Sequence, residues 1–218
     1  MAVDWKDKVA PEISAVLLVD LQNDFCHPNG AWKEIATDPD LSKRVEAIQS
    51  FLPQARTRAV PVLFVRTVYN AWTTSPPIRQ RWQQMGMDGL CTEGSWGAEF
   101  YQVLPQETDR VVTKYRPSGF METDLDLTLR AKDVQTVLIA GMGVWGGAFD
   151  TARDTVAKNY QVLLLDDCVG GGTPQERLTL IEIFRRYHAD VVESREVIEA
   201  WNAQVEFRRV SSDMLENL

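Results

Sequence analysis

Six short apolar runs, separated by longer segments of mixed polarity, constrain the fold of this chain more than any other feature. They are rich in Val, Ile and Leu and read, in order, AVLLVDL (15–21), PVLFVRTV (61–68), RVVTKY (110–115), TVLIAGM (136–142), QVLLLDD (161–167) and ADVVES (189–194). Strands this apolar are buried on both faces, which is typical of a parallel sheet covered by helices. Helices are predicted between and after the runs, at Leu41–Arg58, Thr123–Lys132, Gly147–Lys158, Pro174–Tyr187 and Arg195–Asn202. The alternation predicts a three-layer α/β/α fold with a parallel, doubly wound, Rossmann-like sheet of about six strands.

Length and charge favour one domain that binds neither nucleic acid nor membrane. A chain of 218 residues fits a single domain, and no internal repeat or low-complexity linker divides it. We assign residues 1–218 to that domain, with a short N-terminal arm over residues 1–12 and a C-terminal tail over residues 203–218. The formal net charge of −8 argues against a nucleic-acid groove and against an anionic membrane surface.

The expected location is the cytoplasm. No window of the sequence approaches the roughly 20 uninterrupted apolar residues of a membrane-spanning helix. The opening residues, MAVDWKDKVAPEIS, lack the apolar core of a signal peptide. Three cysteines, Cys26, Cys91 and Cys168, are odd in number and widely spaced, so a disulfide framework is not expected.

Two charged residues at predicted strand ends are the first candidates for chemistry. Ligands of doubly wound folds bind beyond the carboxyl ends of the strands, and Asp20 ends the first run while Lys114 lies near the end of the third. A carboxylate there is partly desolvated and can act as a general acid or base; a neighbouring lysine would keep it ionised or bind a developing anion. Each residue also has an ordinary alternative, because a strand-end Asp often caps a turn and a lone strand-end Lys is usually a solvated surface charge.

A glycine-rich loop follows the fourth run. Gly141, Gly143, Gly146 and Gly147 permit close approach to a ligand, and the loop opens onto a helix N-terminus, where free N–H groups favour an anion. The glycine spacing matches neither G-x-G-x-x-G nor a P-loop, which gives little support to nucleotide binding. The alternative interpretation is a packing turn of small residues.

Neither a metal nor a cofactor is predicted, and the candidate binding residues are aromatic. The only two histidines, His27 and His188, are far apart, and no CxxC occurs. The long Tyr69–Gly97 segment has no clean periodicity, as lids and binding loops often do not. An apolar or planar small substrate is suggested by four aromatic residues, Trp72, Trp82, Phe120 and Trp145, although Trp145 is as well explained by a plug in the core.

Taken together, these motifs resemble the isochorismatase-like, or cysteine hydrolase, superfamily. The resemblance runs from about Ala15 to Val197 and rests on AVLLVDLQNDFC, GSWGAEF, LPQETDRVVTKYRPSGF, TDLDLTLR, VLIAG, TARD and DDC. It implies a parallel α/β fold, a small-molecule substrate and assembly into homo-dimers or homo-tetramers. The Asp-x-His zinc motif of nicotinamidases is absent from RTVYNAW, so the resemblance implies no metal.

The resemblance also implies site residues and one departure. Family amidases use an Asp–Lys–Cys triad, whose Asp and Lys match Asp20 and Lys114. The Cys normally stands four residues before the Thr of TARD, where this chain has Gly147, and residues 144–150 contain no Cys. The family's oxyanion hole uses backbone N–H groups at the positions of Gly143 and Gly147.

The glycine leaves three interpretations open. Isochorismatases carry glycine at this position and cleave a vinyl ether with Asp as the proton donor, although Gly143 and Trp145 depart from their substrate-binding pattern. A catalytically silent member that binds a small molecule, or an engineered variant of an amidohydrolase, would also lack the thiol. Because RPSGFMETDLDLTLR is closest to the ureido and amide hydrolase branch, we predict a hydrolase whose ancestry is C–N bond cleavage.

Overall fold

A single parallel sheet forms the centre of the protein, as the sequence predicts. The structure is a computed structural model that describes residues 4–35, 37–143 and 145–204. Its strands are β1 (Ser14–Val19), β2 (Val62–Thr67), β3 (Arg110–Lys114), β4 (Thr136–Met142), β5 (Gln161–Gly170) and β6 (Asp190–Val192). All neighbouring strands are parallel in the order β3-β2-β1-β4-β5-β6. The direction of winding therefore changes between β1 and β4, which is where doubly wound folds bind ligands.

Helices cover both faces of the sheet. They are α1 (Asn23–Cys26), α2 (Leu41–Thr57), α3 (Pro76–Gln84), α4 (Leu125–Arg130), α5 (Gly147–Ala157), α6 (Pro174–Tyr187) and a last helix, α7, over residues 194–204. Every predicted helix is present, and α4 is shorter than predicted. Helices α1 and α3 were not predicted because α1 is a single turn and α3 buries none of its residues, so neither has a recognisable apolar period.

Alternate residues of the central strands face two separate hydrophobic cores. Val16 and Leu18 of β1 belong to the core that includes α2, and Leu17 and Val19 belong to the core that includes α5. All six residues of β1 are buried. The period of two of a strand therefore buries both faces, and this explains the uninterrupted apolar runs in the sequence.

The N-terminal arm is anchored to the last helix. Val9 and Trp201 are fully buried, and the Trp201 indole N–H donates to the Val9 carbonyl oxygen at 2.6 Å. Helix α7 carries the described chain to residue 204, and the rest of the predicted tail lies outside the described residues. Among the helices that the structure describes, none is long and apolar enough to cross a membrane.

Backbone contacts bring the carboxyl ends of β1, β2 and β3 to one level. Thr67 pairs with Lys114 in the register between β2 and β3, and the Asp20 N–H donates to the Val65 carbonyl oxygen at 2.9 Å. On the other side of β1, Gly141 has φ +116°, and a Cβ there would overlap the backbone of Val19. Only glycine allows β4 to approach β1 this closely at its end.

Candidate active site

Asp20, Thr67 and Lys114 form one buried, hydrogen-bonded array at the ends of β1, β2 and β3. The Lys114 ammonium lies 2.9 Å from Asp20 Oδ2 and donates to Thr67 Oγ1 at 2.7 Å. Thr67 Oγ1 in turn donates to Asp20 Oδ1 at 2.8 Å. Lys114 and Asp20 are only 2% and 4% exposed. The structure thus brings together the two charged residues that the sequence predicts, with a threonine joining them.

The backbone of Asp20 leaves the strand in a left-handed turn. Its φ is +54°, a conformation that Asp tolerates better than most residues. The array also contributes to stability. Removing one partner of a buried ion pair leaves the other charge uncompensated, at a cost of about 3–5 kcal/mol. A substitution of Asp20 or Lys114 is therefore expected to change the stability of the fold as well as the activity.

Gly147, the first residue of α5, faces the Asp20 carboxylate directly. A Cβ added to Gly147 would lie closer than 3.0 Å to Asp20 Oδ2, nearer than real Cβ contacts come, and 3.3 Å from the Met142 carbonyl oxygen. The position adjoins the array, as the sequence predicts. In the observed conformation of Asp20 it has no room for a side chain.

The two predicted oxyanion donors differ in the structure. The Gly143 N–H donates to the Gly170 carbonyl oxygen at 3.0 Å, so it is directed at β5 and is already engaged. The Gly147 N–H is in the first turn of α5, where no intrahelical acceptor exists, and no acceptor among the described residues bonds it. Of the expected pair, the Gly143 N–H is engaged because Gly143 adopts φ +95° and pairs with β5, and the Gly147 N–H bonds no acceptor among the described residues.

A cavity of about 250 Å³ opens in front of the array. Its polar base consists of Asp20, Thr67 and Lys114, and its glycine wall of Gly143, Gly146 and Gly147. Apart from Arg81, the other lining residues are largely apolar: Phe25, Trp32, Tyr69, Ile78, Trp82, Leu90, Pro117 and Trp145. Because a cavity of roughly 150 Å³ holds benzene, this one accommodates an aromatic ring together with a short chain.

Two of the four predicted aromatic residues reach the cavity and two do not. Trp82 and Trp145 line it, and Trp145 meets Trp32 edge-on at 5.9 Å between ring centroids. Trp72 is 97% exposed in the turn after Asn70, outside the cavity lining. Phe120 is buried in the core that includes residues of α4 and α5, where it stacks on Tyr160. Neither contributes to this cavity.

Thr67, Tyr69, Arg81 and Trp32 are site residues that the sequence analysis missed. Tyr69 is 8% exposed and meets Trp82 edge-on at 4.9 Å. Burial and the charge of Asp20 raise the pKa of Tyr69 to about 12, so its phenol stays a hydrogen-bond donor at neutral pH. The signal available for Thr67 was its position at the end of PVLFVRTV, level with Lys114. Tyr69 and Arg81 fall within the long segment that was predicted only as a binding loop.

The three cysteines do not replace the missing thiol. All are buried, and none lines the cavity. Burial and the charge of Asp20 raise the pKa of both Cys26 and Cys91 well above the ordinary value, so neither is a ready thiolate. His27 packs against Trp96 outside the cavity. Within the described ranges, no group of three or more His, Cys, Asp or Glu side chains converges as metal ligands would.

The residues that follow Asp20 hold the long β2–β3 connection against the site. Gln22 donates to the carbonyl oxygens of Thr67 and Ala98, both at 2.8 Å, and its Oε1 accepts from the Thr67 N–H at 2.7 Å. Asp24 Oδ2 accepts from the Cys91 N–H at 2.6 Å. The motif LQND is therefore explained by loop attachment, which fixes the cavity wall that this connection supplies.

Comparison with known proteins supports the family resemblance. Residues 14–196 match the isochorismatase domain family. A ureidoacrylate amidohydrolase from Azorhizobium caulinodans is 28% identical over 182 residues, covering 77% of this chain and 80% of the relative. The crystal structure of a cysteine hydrolase from Pseudomonas syringae superposes with a TM-score of 0.81 at 26% identity, covering 90% of this chain and 95% of that one.

A second solved structure extends the same picture. The N-carbamoylsarcosine amidase from Thermoplasma acidophilum superposes with a TM-score of 0.69 at 28% identity, covering 83% of this chain and 96% of that one. The family match spans the whole sheet and includes Asp20, Lys114 and Gly147. This chain therefore belongs to the isochorismatase domain family and is a hydrolase of that family.

Proposed function

We propose that this chain hydrolyses a C–N bond of the amide or ureido class in a small substrate, with Asp20 activating a water molecule and without a covalent intermediate. The observation that carries the proposal is the glycine at position 147 beside Asp20, because it leaves no side chain at the position where cysteine hydrolases carry their nucleophile. The names of the relatives, an amidohydrolase and an amidase, support the choice of bond.

No other group of the described cavity lining is suited to nucleophilic attack. Thr67 Oγ1 is held between Asp20 and Lys114, and the hydroxyl of Tyr69 is a weak nucleophile while it remains protonated. A water molecule beside Asp20 is therefore the favoured nucleophile. Asp20 and Gly147 both line the cavity, so a water molecule and a substrate carbonyl can approach the carboxylate from there.

Lys114 favours a base role for Asp20. The Lys114 ammonium lies 2.9 Å from Oδ2 and forms an ion pair with this carboxylate, so we assign Asp20 the role of proton acceptor at the start of the reaction. This argues against the vinyl-ether alternative, in which Asp20 would have to begin as a proton donor.

The reaction then proceeds in two steps. Asp20 takes a proton from water while the water oxygen bonds to the carbonyl carbon, and the carbonyl electron pair moves onto oxygen. The Gly147 N–H and the Tyr69 hydroxyl are the donors for this oxyanion. Asp20 next returns the proton to the nitrogen as the C–N bond breaks, releasing an amine and a carboxylic or carbamic acid.

The test is a panel of amides, ureides, hydrazides and the vinyl ether isochorismate, assayed by product formation. Asp20→Asn is expected to lower the rate by about 10²- to 10⁴-fold, and Lys114→Met to lower it comparably, with folding checked by circular dichroism. Asp150→Asn is the matched control, since this half-buried carboxylate of α5 does not line the cavity.

Three outcomes oppose the proposal. A measurable ligand Kd with no turnover anywhere in the panel would make the chain a small-molecule binding protein. Turnover of isochorismate alone would favour vinyl-ether hydrolysis. Equal rates for the parent and Asp20→Asn would remove Asp20 from the mechanism.

A further inference from the structure

We infer that the cavity selects ligands that carry one negative charge, and that Arg81 of α3 is the residue that recognises it. The inference rests on the proposed function for the identity of the cavity as a substrate site, but the selection itself concerns binding and requires no turnover. The chemical class is a carboxylate, or a similar monoanion, attached to an aromatic ring or short apolar chain.

Arg81 is a cation at the cavity without an acidic partner. It lines the cavity, and the only hydrogen bond of its guanidinium among the described residues is from Nη1 to Gln84 Oε1 at 3.4 Å. No carboxylate of the described chain lies within 4.0 Å of its guanidinium. Arginine binds carboxylates through paired N–H donors, and here the only partner of those donors among the described residues is Gln84, at 3.4 Å.

The charges of the cavity differ in sign from those of the whole chain. The described lining contains one carboxylate, Asp20, and two cations, Lys114 and Arg81. Asp20 and Lys114 are paired at 2.9 Å, so the remaining charge of the cavity is that of Arg81. The formal charge of the described lining is therefore +1, opposite in sign to the net charge of −8 of the chain, and this favours an anionic ligand.

The two charged ends of the cavity differ in their exposure to solvent. Asp20 and Lys114 are almost completely buried, whereas Arg81 is exposed. Apolar and aromatic side chains, including Trp82 and Trp145, form the walls between them. A ligand spanning the cavity would thus hold its anionic group at the mouth, its apolar part between the tryptophans and its scissile bond at the base.

Helix α3 presents this arginine together with an apolar face. Ile78, Arg81 and Trp82 all line the cavity, and their spacing of three and four residues puts them on one side of the helix. Arg79 lies off that side and donates to the Thr74 carbonyl oxygen at 2.8 Å. Arg79 is an exposed cation of the same helix outside the cavity lining. Its substitution therefore controls for a general effect of removing a positive charge.

Binding of 3-phenylpropionate and of its neutral methyl-ketone analogue, 4-phenylbutan-2-one, tests the inference by calorimetry on the full chain. Neither probe contains a C–N bond, so the result does not depend on the proposed reaction. The parent is expected to bind the carboxylate about tenfold more tightly than the ketone. Arg81→Gln is expected to remove that preference while leaving the ketone affinity unchanged, and Arg79→Gln is expected to keep it.

Added salt supplies a second readout. At an exposed arginine the preference for the carboxylate should weaken as NaCl rises from 20 to 500 mM. Equal affinities for the two probes in the parent, an Arg81→Gln variant that retains the preference, or no binding of either probe would each overturn the inference. Failure of the hydrolysis panel with an intact Arg81-dependent preference would overturn only the proposed reaction.

Discussion

The carboxylate of Asp20 occupies the space into which a side chain at Gly147 would project. A Cβ at position 147 would meet Oδ2 first and would lie 3.0 Å from Cγ. Asp20 cannot simply turn away, because Thr67 holds one carboxylate oxygen and Lys114 the other. The observed position of the Asp20 carboxylate therefore requires glycine at position 147. The missing cysteine side chain is explained by this packing.

Thr67 is expected to be required for both stability and rate. Thr67→Val keeps the shape of the side chain but leaves Asp20 and Lys114 without their common partner, which should destabilise the protein by about 1–3 kcal/mol. Thr67→Ser retains the hydroxyl and should remain close to the parent in rate. Urea unfolding and initial rates measure the two effects. Similar behaviour of the valine and serine variants would contradict the bridging role.

Tyr69 is expected to act as a protonated donor over the whole working range of pH. Its pKa is raised from 10.0 to about 12, and an acid with a raised pKa keeps its proton to higher pH. Tyr69→Phe should therefore lower kcat by about 10²-fold, by the same factor at pH 6 and at pH 10. Rate profiles of the two proteins test this. A defect that disappears between pH 8 and pH 10 would mean that the phenol ionises there.

Two tryptophans that are indistinguishable in the sequence should differ in binding. Trp145→Ala removes part of the cavity wall and the contact with Trp32, so the Kd for an aromatic ligand such as 3-phenylpropionate should rise about tenfold. Trp72→Ala removes an exposed side chain outside the cavity and should leave the Kd unchanged. Calorimetric titration of both variants checks the assignment, which fails if Trp72→Ala is the more damaging change.

The strands could be predicted from the sequence because their burial on both faces leaves an unmistakable pattern. Asp20 and Lys114 stood out for the same reason, as charges at the ends of apolar runs. Thr67 did not, since threonine is common in strands and its hydroxyl becomes informative only when register places it between two charges. Arg81 lies on a helix that buries none of its residues, so no period marked the face that meets the cavity.

The aromatic residues mark the limit of that reasoning. Trp72 and Phe120 have the right composition for a binding site, but side-chain direction in irregular segments depends on long-range contacts. Trp72 is almost fully exposed, and Phe120 is buried in the core against Tyr160. The state of the Gly143 N–H was equally hidden, because its acceptor, Gly170, is distant in sequence.

The buried thiols are expected to make the fold less stable at alkaline pH. Burial, followed by the charge of Asp20, raises the pKa of Cys26 above its ordinary value of 9.0. Above pH 9 the thiol of the unfolded chain loses its proton while the thiol of the folded chain keeps it. The contribution of Cys26 to the free energy of unfolding is therefore fully present below pH 9 and decreases as pH rises. It should fall by about 1 kcal/mol between pH 7 and pH 10.

Urea unfolding at both pH values, for the parent and Cys26→Ala, isolates this contribution. The alanine variant lacks the titrating group, so its loss of stability between the two pH values should be smaller by about that amount. The absolute stability of the variant is not the readout. An identical pH dependence in the two proteins would show that Cys26 titrates normally in the fold.

Intact-protein mass spectrometry during turnover tests the central claim most directly, namely that Asp20 activates water and that no covalent intermediate forms. The substrate is the most active amide or ureide of the panel, and the comparison protein is Gly147→Cys, with Gly147→Ala to control for displacement of Asp20 by a Cβ. The parent is expected to release product while its mass stays unmodified, and any acyl adduct is confined to Gly147→Cys. An acyl adduct on the parent during turnover, or product formation that persists undiminished in Asp20→Asn, would contradict the account.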